Sequence, residues 1–162
     1  MSLQRAAIVG ITNASFNSLA NSLTGVASSS AVSVGVSANV VDHQVVVSVA
    51  VGAITPSAST LVNVYCYATA DGTTWPGGSA TTEIVNGTDQ AITLSANGNA
   101  LRYLGSILCH TAGITLKSEP LSIAAALAGS MPSKYVIVLQ NQSGVALAAT
   151  GHSVAVQEIY YT

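Results

Sequence analysis

Histidine is the residue type in this chain that is best suited to acid–base or metal chemistry. The sequence contains three histidines, in or beside different predicted strands: His43, His110 and His152. None stands at metal-ligand spacing from another, and the chain lacks a His-Glu-x-x-His motif, a Gly-x-Ser-x-Gly elbow and a phosphate-binding glycine loop. The sequence therefore predicts no catalytic residue, no metal and no cofactor, and we expect the protein not to be an enzyme.

The single tryptophan indicates a different kind of chemistry, the stacking of a sugar ring. Trp75 follows a predicted strand that carries Tyr65 and Tyr67, and three such rings can form a carbohydrate platform. The alternative is a tryptophan that anchors its own loop over the edge of the core. We favour that alternative, and we keep Trp75 as a candidate contact in an exposed loop.

The two cysteines, Cys66 and Cys109, lie in separate predicted strands. They do not form a Cys-x-x-Cys pair, so a redox or metal role is a poor match. A disulfide would need an oxidising compartment, and the apolar patch at residues 6–11 is shorter than the hydrophobic region of an export signal. We therefore favour free, buried thiols over a bridge.

Charge is the most unusual property of the composition. Only 6% of the 162 residues are charged, against about 25% in an average soluble domain, and the mean hydropathy is +0.54. No apolar run reaches the roughly 18 residues of a membrane-spanning helix. A surface of Ser, Thr, Asn, Gly and Ala lacks the charge repulsion that keeps monomers apart. We interpret it as a surface buried in an assembly, rather than as the uncharged exterior of a secreted or thermostable domain.

The distribution of charge argues against nucleic acid as a partner. The net charge is −2, and the four cations are scattered along the chain: Arg5, Arg102, Lys117 and Lys134. Binding to phosphates depends on several clustered Lys or Arg side chains. We also expect no membrane partner, and we expect the isolated chain to form a dimer or trimer.

Valine alternation from residue 41 to residue 51 predicts the strand around which the fold is organised. Every odd position there is valine except His43, and this period of two indicates one buried face and one face toward water or a partner. A second strand at residues 61–69 ends at Asp71-Gly72, which favours a tight hairpin. Further strands are predicted at residues 31–37, 81–85, 91–95, 101–110, 114–116, 121–127, 135–140, 145–149 and 154–161. For residues 121–127 the alanine content offers a helix as the alternative, and we favour the strand because of their alternation. The predicted fold is all-β, an antiparallel β-sandwich or jelly-roll-like barrel with an N-terminal extension.

Residues 1–30 differ from the predicted β-domain at residues 31–162, because they are rich in Asn and Ser and lack strand alternation. One interpretation is an arm that orders against a neighbouring subunit. The other is a short helix packed on its own domain, since several apolar residues fall at helical spacing. For the arm, which we favour slightly, the candidate partner-anchoring residues are Ile8, Ile11, Phe16, Leu19 and Leu23.

Three segments carry a resemblance to a known class of protein: VYCYATADGTTWP, EPLSIAAALAGSMPSKYVIVLQNQSGVALAATGHSV and the tail QEIYYT. Over residues 60–162 the chain resembles small structural proteins of tailed bacteriophages. In those proteins an alternating strand is followed by a Leu-Pro or Met-Pro loop, a Lys-aromatic apolar strand and an Asn-x-x-Gly turn. The matching positions here are residues 121–127, Met131-Pro132, residues 134–139 and residues 141–144.

The resemblance implies a virion protein of the capsid decoration (cement) type. Its expected partners are the major capsid protein and copies of itself, and its expected location is the capsid surface after synthesis in the host cytoplasm. Tail and baseplate subunits share the same pattern. A host-recognition module that binds carbohydrate remains an alternative, as does a pilus-type subunit, suggested by the Ala-, Thr- and Val-rich strands.

Overall fold

The chain folds into two antiparallel β-sheets that pack face to face. A computed structural model describes residues 1–35, 39–53, 60–76, 85–94 and 100–162. In chain order the described strands are β1 (Leu3–Arg5), β2 (Val9–Ile11), β3 (Gly25–Ser28), β4 (Val32–Ser33), β5 (Val40–Ala50), β6 (Leu61–Thr69), β7 (Gln90–Thr93), β8 (Arg102–Leu108), β9 (Thr115–Lys117), β10 (Leu121–Ser122), β11 (Lys134–Gln142) and β12 (Ser153–Tyr161). A 3-10 helix (Ala14–Phe16) and a short helix α1 (Ile123–Ala126) join them.

The strand order is that of a jelly roll. Sheet A has the order β1–β12–β5–β10, where β2 also pairs with β12 and β9 also pairs with β5. Sheet B has the order β7–β3–β11–β6–β8, where β4 also pairs with β11. From β2 to β6, and again from β8 to β12, successive strands or strand pairs lie in opposite sheets. This interleaving is typical of a jelly roll, here with β7 as an additional edge strand. The predicted antiparallel all-β fold is confirmed.

The main core lies between the two sheets, because alternation gives the long strands one apolar face. In sheet A, Val45, Val47 and Val49 of β5 are fully buried, and β12 adds Val154 and Val156. The side chains that meet them from sheet B are Val62, Val64, Cys66, Tyr135, Ile137 and Leu139. Each buried side chain of this size stabilises the fold by about 1.5–3 kcal/mol relative to an exposed one.

Sheet B is buried on its outer face as well. Its central strand, β11, has the burial pattern expected for a strand covered on both sides, since Val136 and Val138 are as fully buried as Ile137. These two valines belong to a second apolar cluster together with Tyr67 and with Trp75. Part of the connection between β6 and β8 therefore forms a third layer over this sheet.

The first thirty residues are part of the sandwich, which corrects the prediction of a separate arm or helix. Strands β1 and β2 pair with β12, and β3 lies inside sheet B between β7 and β11. Phe16 and Leu19 are 0% and 8% exposed and belong to the main core. Sequence alternation failed to reveal these strands because they are short and interrupted by the 3-10 helix.

The segment at residues 121–127 is the second correction. We predicted a strand there, but only β10 is extended, and α1 follows immediately. The Ser122 hydroxyl accepts a hydrogen bond from the Ala125 amide at 3.0 Å, and the Asp42 carboxylate accepts one from the Ala124 amide at 2.9 Å. Both satisfy amides at the helix N-terminus that have no intrahelical partner. The capping oxygen from β5 is remote in sequence and gave no local signal.

Three further predictions concern the hairpin at Gly72 and the strands at residues 145–149 and 81–85. Gly72 has a positive φ of 77°, as a turn requires, but β6 pairs with β11 and β8, so no tight hairpin follows it. Residues 145–149 form only an isolated bridge, between Leu147 and Val51, instead of the predicted strand. The strand predicted at residues 81–85 lies, apart from Val85, outside the described residues.

Candidate functional site

A groove of about 320 Å³ lies on the outer face of sheet A. We call this surface the outer groove. Its buried and half-buried lining residues on β5 and β12 include Gln44, Val46, Ser48, Ala155 and Gln157. The more exposed residues that line it include Arg5, Ile8, Lys117, Pro120 and Ser153.

The chemistry of the outer groove is uncharged at its base and cationic at its margins. Arg5 donates from Nη1 to the side-chain oxygens of Gln44 at 3.2 Å and Gln157 at 3.4 Å. Gln157 in turn donates to the backbone oxygen of Ala6 at 3.0 Å. Among the described lining residues, Arg5 and Lys117 are the only charged side chains. The groove therefore suits a partner surface that offers carboxylates or other hydrogen-bond acceptors.

The predicted aromatic contact, Trp75, lies on the opposite side of the sandwich. Its ring is stacked on Tyr67, with centroids 6.0 Å apart and an interplanar angle of 14°. A Cβ added to Gly87 would lie 2.8 Å from the Trp75 ring, so the neighbouring turn also encloses it. Tyr65 instead contacts Tyr103 edge to face. Trp75 covers sheet B, and the three rings form no common exposed platform.

The five predicted anchoring residues do not share a surface. Phe16 and Leu19 are buried in the subunit's own core, and Ile11 is half-buried against it. Ile8 is 67% exposed and lines the outer groove. Leu23 is 78% exposed and does not line the outer groove. Of the five, Ile8 is the one that the structure places beside the outer groove.

A second concave site contains the one histidine that the fold buries. His43 lies on the inner face of β5 with 3% of its surface exposed. Its Nδ1 is 2.9 Å from the Tyr135 hydroxyl, and its Nε2 is 3.5 Å from Glu158 Oε2. The second distance exceeds that of a normal hydrogen bond, and Nε2 has no hydrogen-bond partner among the described residues.

His43 and Glu158 line a cleft of about 330 Å³ between the N-terminal strands and the edge of sheet B. We call it the His43 cleft. Its other lining residues are small and mostly apolar: Ala6, Ala7, Val9, Ile11, Ala31, Val32, Ser33 and Val156. A mostly apolar cleft with a few convergent polar groups has the character of a small-ligand site.

The electrostatics of the His43 cleft follow from burial. Burial lowers the pKa of His43, while the nearby carboxylates of Glu158 and Asp42 oppose this by favouring the imidazolium form. Burial also raises the pKa of the Tyr135 phenol. Both groups are therefore neutral at pH 7, and Glu158 supplies the one charged side chain among the described lining residues.

Neither the other two histidines nor the cysteines line the outer groove or the His43 cleft. His152 accepts a hydrogen bond at Nδ1 from the Ala50 amide at 3.2 Å, and its Nε2 is 2.9 Å from the Ala148 oxygen. This assigns the proton to Nε2. His110 is exposed and follows the end of β8, where its Nδ1 lies 3.3 Å from the Leu108 oxygen. Cys66 and Cys109 are free and buried, as predicted, and burial raises the pKa of Cys66 to about 11.

Two kinds of feature are absent from the described part of the chain. Within it, no group of three or more His, Cys, Asp or Glu side chains is placed to hold a metal ion. No helix among those residues is both long and apolar enough to span a bilayer.

Sequence reasoning missed Glu158 as a site residue. Glu158 belongs to no recognisable motif in the sequence, but the register of β12 against β5 places it directly opposite His43. The alternation of β5 did indicate an outer face for a partner, and Gln44 and Val46 lie there. Comparisons of the chain with protein-family models, with curated proteins and with solved structures find no match.

Proposed function

We propose that the protein is a structural subunit of a virion, most simply a capsid decoration (cement) subunit on the capsid surface. It binds and stabilises the lattice of the major capsid protein through the outer groove. The observation that carries this proposal is the contrast between the two outer faces. The described residues cover the apolar outer face of sheet B and leave a groove on the outer face of sheet A.

The composition supports an assembled state. With 6% charged residues the protein has little charge repulsion against a partner. Contacts of modest size gain affinity when the linked copies of a dimer or trimer dock together on a repeating lattice, because the first attachment raises the effective concentration of the other copies. A shallow, largely uncharged groove is therefore sufficient for stable attachment to a lattice.

The partner's chemistry follows from Arg5 and Lys117. A second copy docked groove to groove would bring like charges into one interface, which lowers affinity. A capsid surface with carboxylates opposite these cations fits better. Association into a dimer or trimer, which we also propose, would then use another part of the surface.

The fold adds weaker support by analogy. Jelly rolls occur among viral capsid domains and also among lectins, and a fold alone does not assign a function. The resemblance of residues 60–162 to phage structural proteins favours the capsid over the lectin. The stacking of Trp75 on Tyr67 fits the loop-anchoring interpretation of this residue better than a sugar platform.

Quantitative mass spectrometry of purified virions from the source tests the proposal. A decoration subunit is expected in hundreds of copies per particle, on the order of the number of lattice positions, whereas a tail-tip subunit is present in a few copies. Absence of the protein from the particles would contradict a role in the virion.

The outer groove is tested by binding to capsids that lack this protein. Ala155→Glu adds a carboxylate to the groove and should weaken binding by at least about tenfold, through steric block and repulsion of partner acceptors. The matched control is Thr93→Glu on the exposed edge strand β7, which adds the same charge on sheet B. Equal binding by both variants would remove the outer groove from the proposal.

A further inference from the structure

The longest edge strand among the described residues is β8, at one side of sheet B. Stable monomers usually keep such strands short, charged or interrupted by proline, because an open row of backbone groups can pair with another chain. The edge strands β1, β7 and β10 have three, four and two residues, whereas β8 has seven. It contains no proline, and its one charged residue, Arg102, stands at its first position. Tyr103 and Leu108 on this strand are 56% and 55% exposed, so β8 is an unprotected edge with apolar side chains.

The outward backbone groups of β8 can be assigned from its pairing with β6. The Cys109 amide, directly after β8, donates to the Thr60 oxygen at 3.1 Å on the β6 side. Because backbone direction alternates in an antiparallel ladder, the amides and carbonyls of Leu108 and Ser106 point to the other side. No described strand pairs with β8 there. The Leu108 oxygen lies 3.3 Å from His110 Nδ1, but a carbonyl can accept two hydrogen bonds. This side of β8 can therefore accept another strand.

A cleft of about 450 Å³ extends from β8 to the neighbouring edge of sheet A. We call it the β8 cleft. Its lining residues are 104–108 on one side and 116–119 with Leu121 on the other. A Cβ added to Gly105 would lie 3.0 Å from Leu121 Cδ2, so the two sheets approach each other closely at this point. The edges of both sheets therefore face one side of the molecule and can meet a partner together.

The charges in the β8 cleft are of opposite sign. Lys117 and Glu119 line it on either side of Ser118, and neither forms an ion pair with a described residue. A two-fold interface places a surface against a copy of itself, so it favours a patch that carries both signs. An axis through Ser106 and close to Ser118, which lie near the middle of the two lining runs, would place Lys117 of each copy beside Glu119 of the other. The outer groove differs, because its two cations would be repelled by the same groove of a second copy.

We propose that β8 pairs antiparallel with β8 of a second copy of this chain, around a two-fold axis at Ser106. This pairing joins the two copies of sheet B into one continuous sheet. In this register Ser106 lies opposite Ser106 of the second copy, and the exposed Leu108 lies opposite Leu104. The inference rests on the self-association in our proposed function, and it does not depend on binding to a capsid.

The test is sedimentation velocity of the full-length protein at micromolar concentrations. We expect a dimer, and we expect Ser106→Glu to weaken it by at least about tenfold, because two carboxylates then face each other across the axis. The matched control is Thr93→Glu on β7, which adds the same charge to an exposed position at the opposite edge of sheet B and should leave the dimer unchanged. An undiminished dimer in folded Ser106→Glu would overturn the pairing of β8 and leave self-association intact.

A charge exchange tests the register and does not require a change within β8. Lys117→Glu and Glu119→Lys should each weaken the dimer by about fivefold, because the axis repeats every like-charge contact. The combined variant should recover the affinity of the native protein, since it restores opposite charges across the axis. Both positions are exposed, so the variants should fold. Losses in the single variants without recovery in the combined variant would overturn the proposed pairing.

The oligomeric state separates this inference from the proposed function. A monomer would contradict both the self-association and the pairing of β8, whereas a trimer would contradict only the two-fold pairing. A monomer whose Ser106→Glu variant no longer binds capsids would assign the β8 edge to the capsid and overturn the second copy as its occupant. Native binding to capsids by a dimeric Thr93→Glu variant, together with monomeric Ser106→Glu, would support both proposals.

Discussion

The outer faces of the two sheets differ, although both sheets share one core. On sheet B the outer positions hold Tyr67, Val136 and Val138, and the connection between β6 and β8 packs on them. On sheet A the equivalent positions of β5 hold Gln44 and Val46, and no described segment of the chain packs over the groove that they line. A face covered by its own chain carries large apolar groups, whereas an open face keeps groups that water can satisfy.

Because of this difference, we expect the outer face of sheet B to contribute to stability and the outer face of sheet A to contribute to partner binding. Substitutions on the outer face of sheet B disturb a packed cluster and should act on the free energy of unfolding. Substitutions on the outer face of sheet A should leave that energy nearly unchanged and act on partner affinity. The following predictions test this division, beginning with the largest expected effect.

Truncation should affect the two sheets unequally. Deletion of residues 1–28 removes β3 from the interior of sheet B, together with the buried side chains Phe16 and Val26. We expect this variant to show no cooperative thermal transition. Deletion of residues 1–6 removes β1 from one edge of sheet A, together with the hydrogen bonds of Arg5 and Ala6, and should lower the melting temperature by a few degrees. A melting temperature unchanged by the longer deletion would restore the arm interpretation.

An aspartate placed on each outer face compares the faces directly. Val136→Asp buries a charge in the covered cluster and should reduce the free energy of unfolding by more than about 3 kcal/mol. Val46→Asp lies on the open face and should cost less than about 1 kcal/mol. Urea denaturation of both variants measures the two values. Similar losses would show that the outer face of sheet A is as well covered as that of sheet B.

The third layer itself can be weakened at Trp75. Trp75→Ala removes the ring stacked on Tyr67 and should reduce the free energy of unfolding by about 2 kcal/mol. Tyr103→Ala, which removes a 56% exposed ring, is the control and should cost less. Because Trp75 lies on sheet B, capsid binding should be unchanged. A loss of binding without a loss of stability would make Trp75 a partner contact.

A smaller effect concerns pH and should be common to variants of either outer face. The folded state lowers the pKa of His43 from 6.5, so below that pH the unfolded state binds more protons and stability falls as pH decreases. Glu158 and Asp42 limit the effect, and Tyr135 stays neutral throughout. Denaturation between pH 7 and pH 5 should show this slope in the native protein and in Val46→Asp.

The control for the pH effect is His43→Gln, whose amide can still bond to Tyr135 but does not titrate. Its stability should vary less with pH over the same range. An identical slope in the two proteins would assign the pH dependence to groups other than His43.

The elements that were predicted correctly from the sequence are those whose pattern lies within one segment of the chain. The boundaries of β6 match the predicted residues 61–69, β12 begins one residue earlier than predicted, and β5 is displaced from the predicted residues 41–51 by one residue at both ends. Alternation determines these strands because one face of each lies in the core. The strand predicted at residues 121–127 followed their alternation and missed helix α1, which has a local cap at Ser122 and a second capping group, Asp42, far away in the chain.

The site depended on register more than on residue type. Glu158 and His43 are separated by most of the chain, and only the pairing of β12 with β5 places them side by side. A contact between residues so far apart in the chain cannot be predicted from either residue's local sequence. For the same reason, the five predicted anchoring residues looked equivalent, although the fold buries Phe16 and Leu19 and exposes Ile8.

The sequence by itself determined the all-β class, the core-facing valines of β5 and the uncharged character of the surface, because these follow from period and composition. Only the tertiary structure decided that residues 1–30 join both sheets, that sheet B is covered while the outer groove stays open, and that His43 faces Glu158. The physical reason is that each of these depends on which distant strands pair and in what register. Pairing is selected by the packing of the whole core rather than by any one segment.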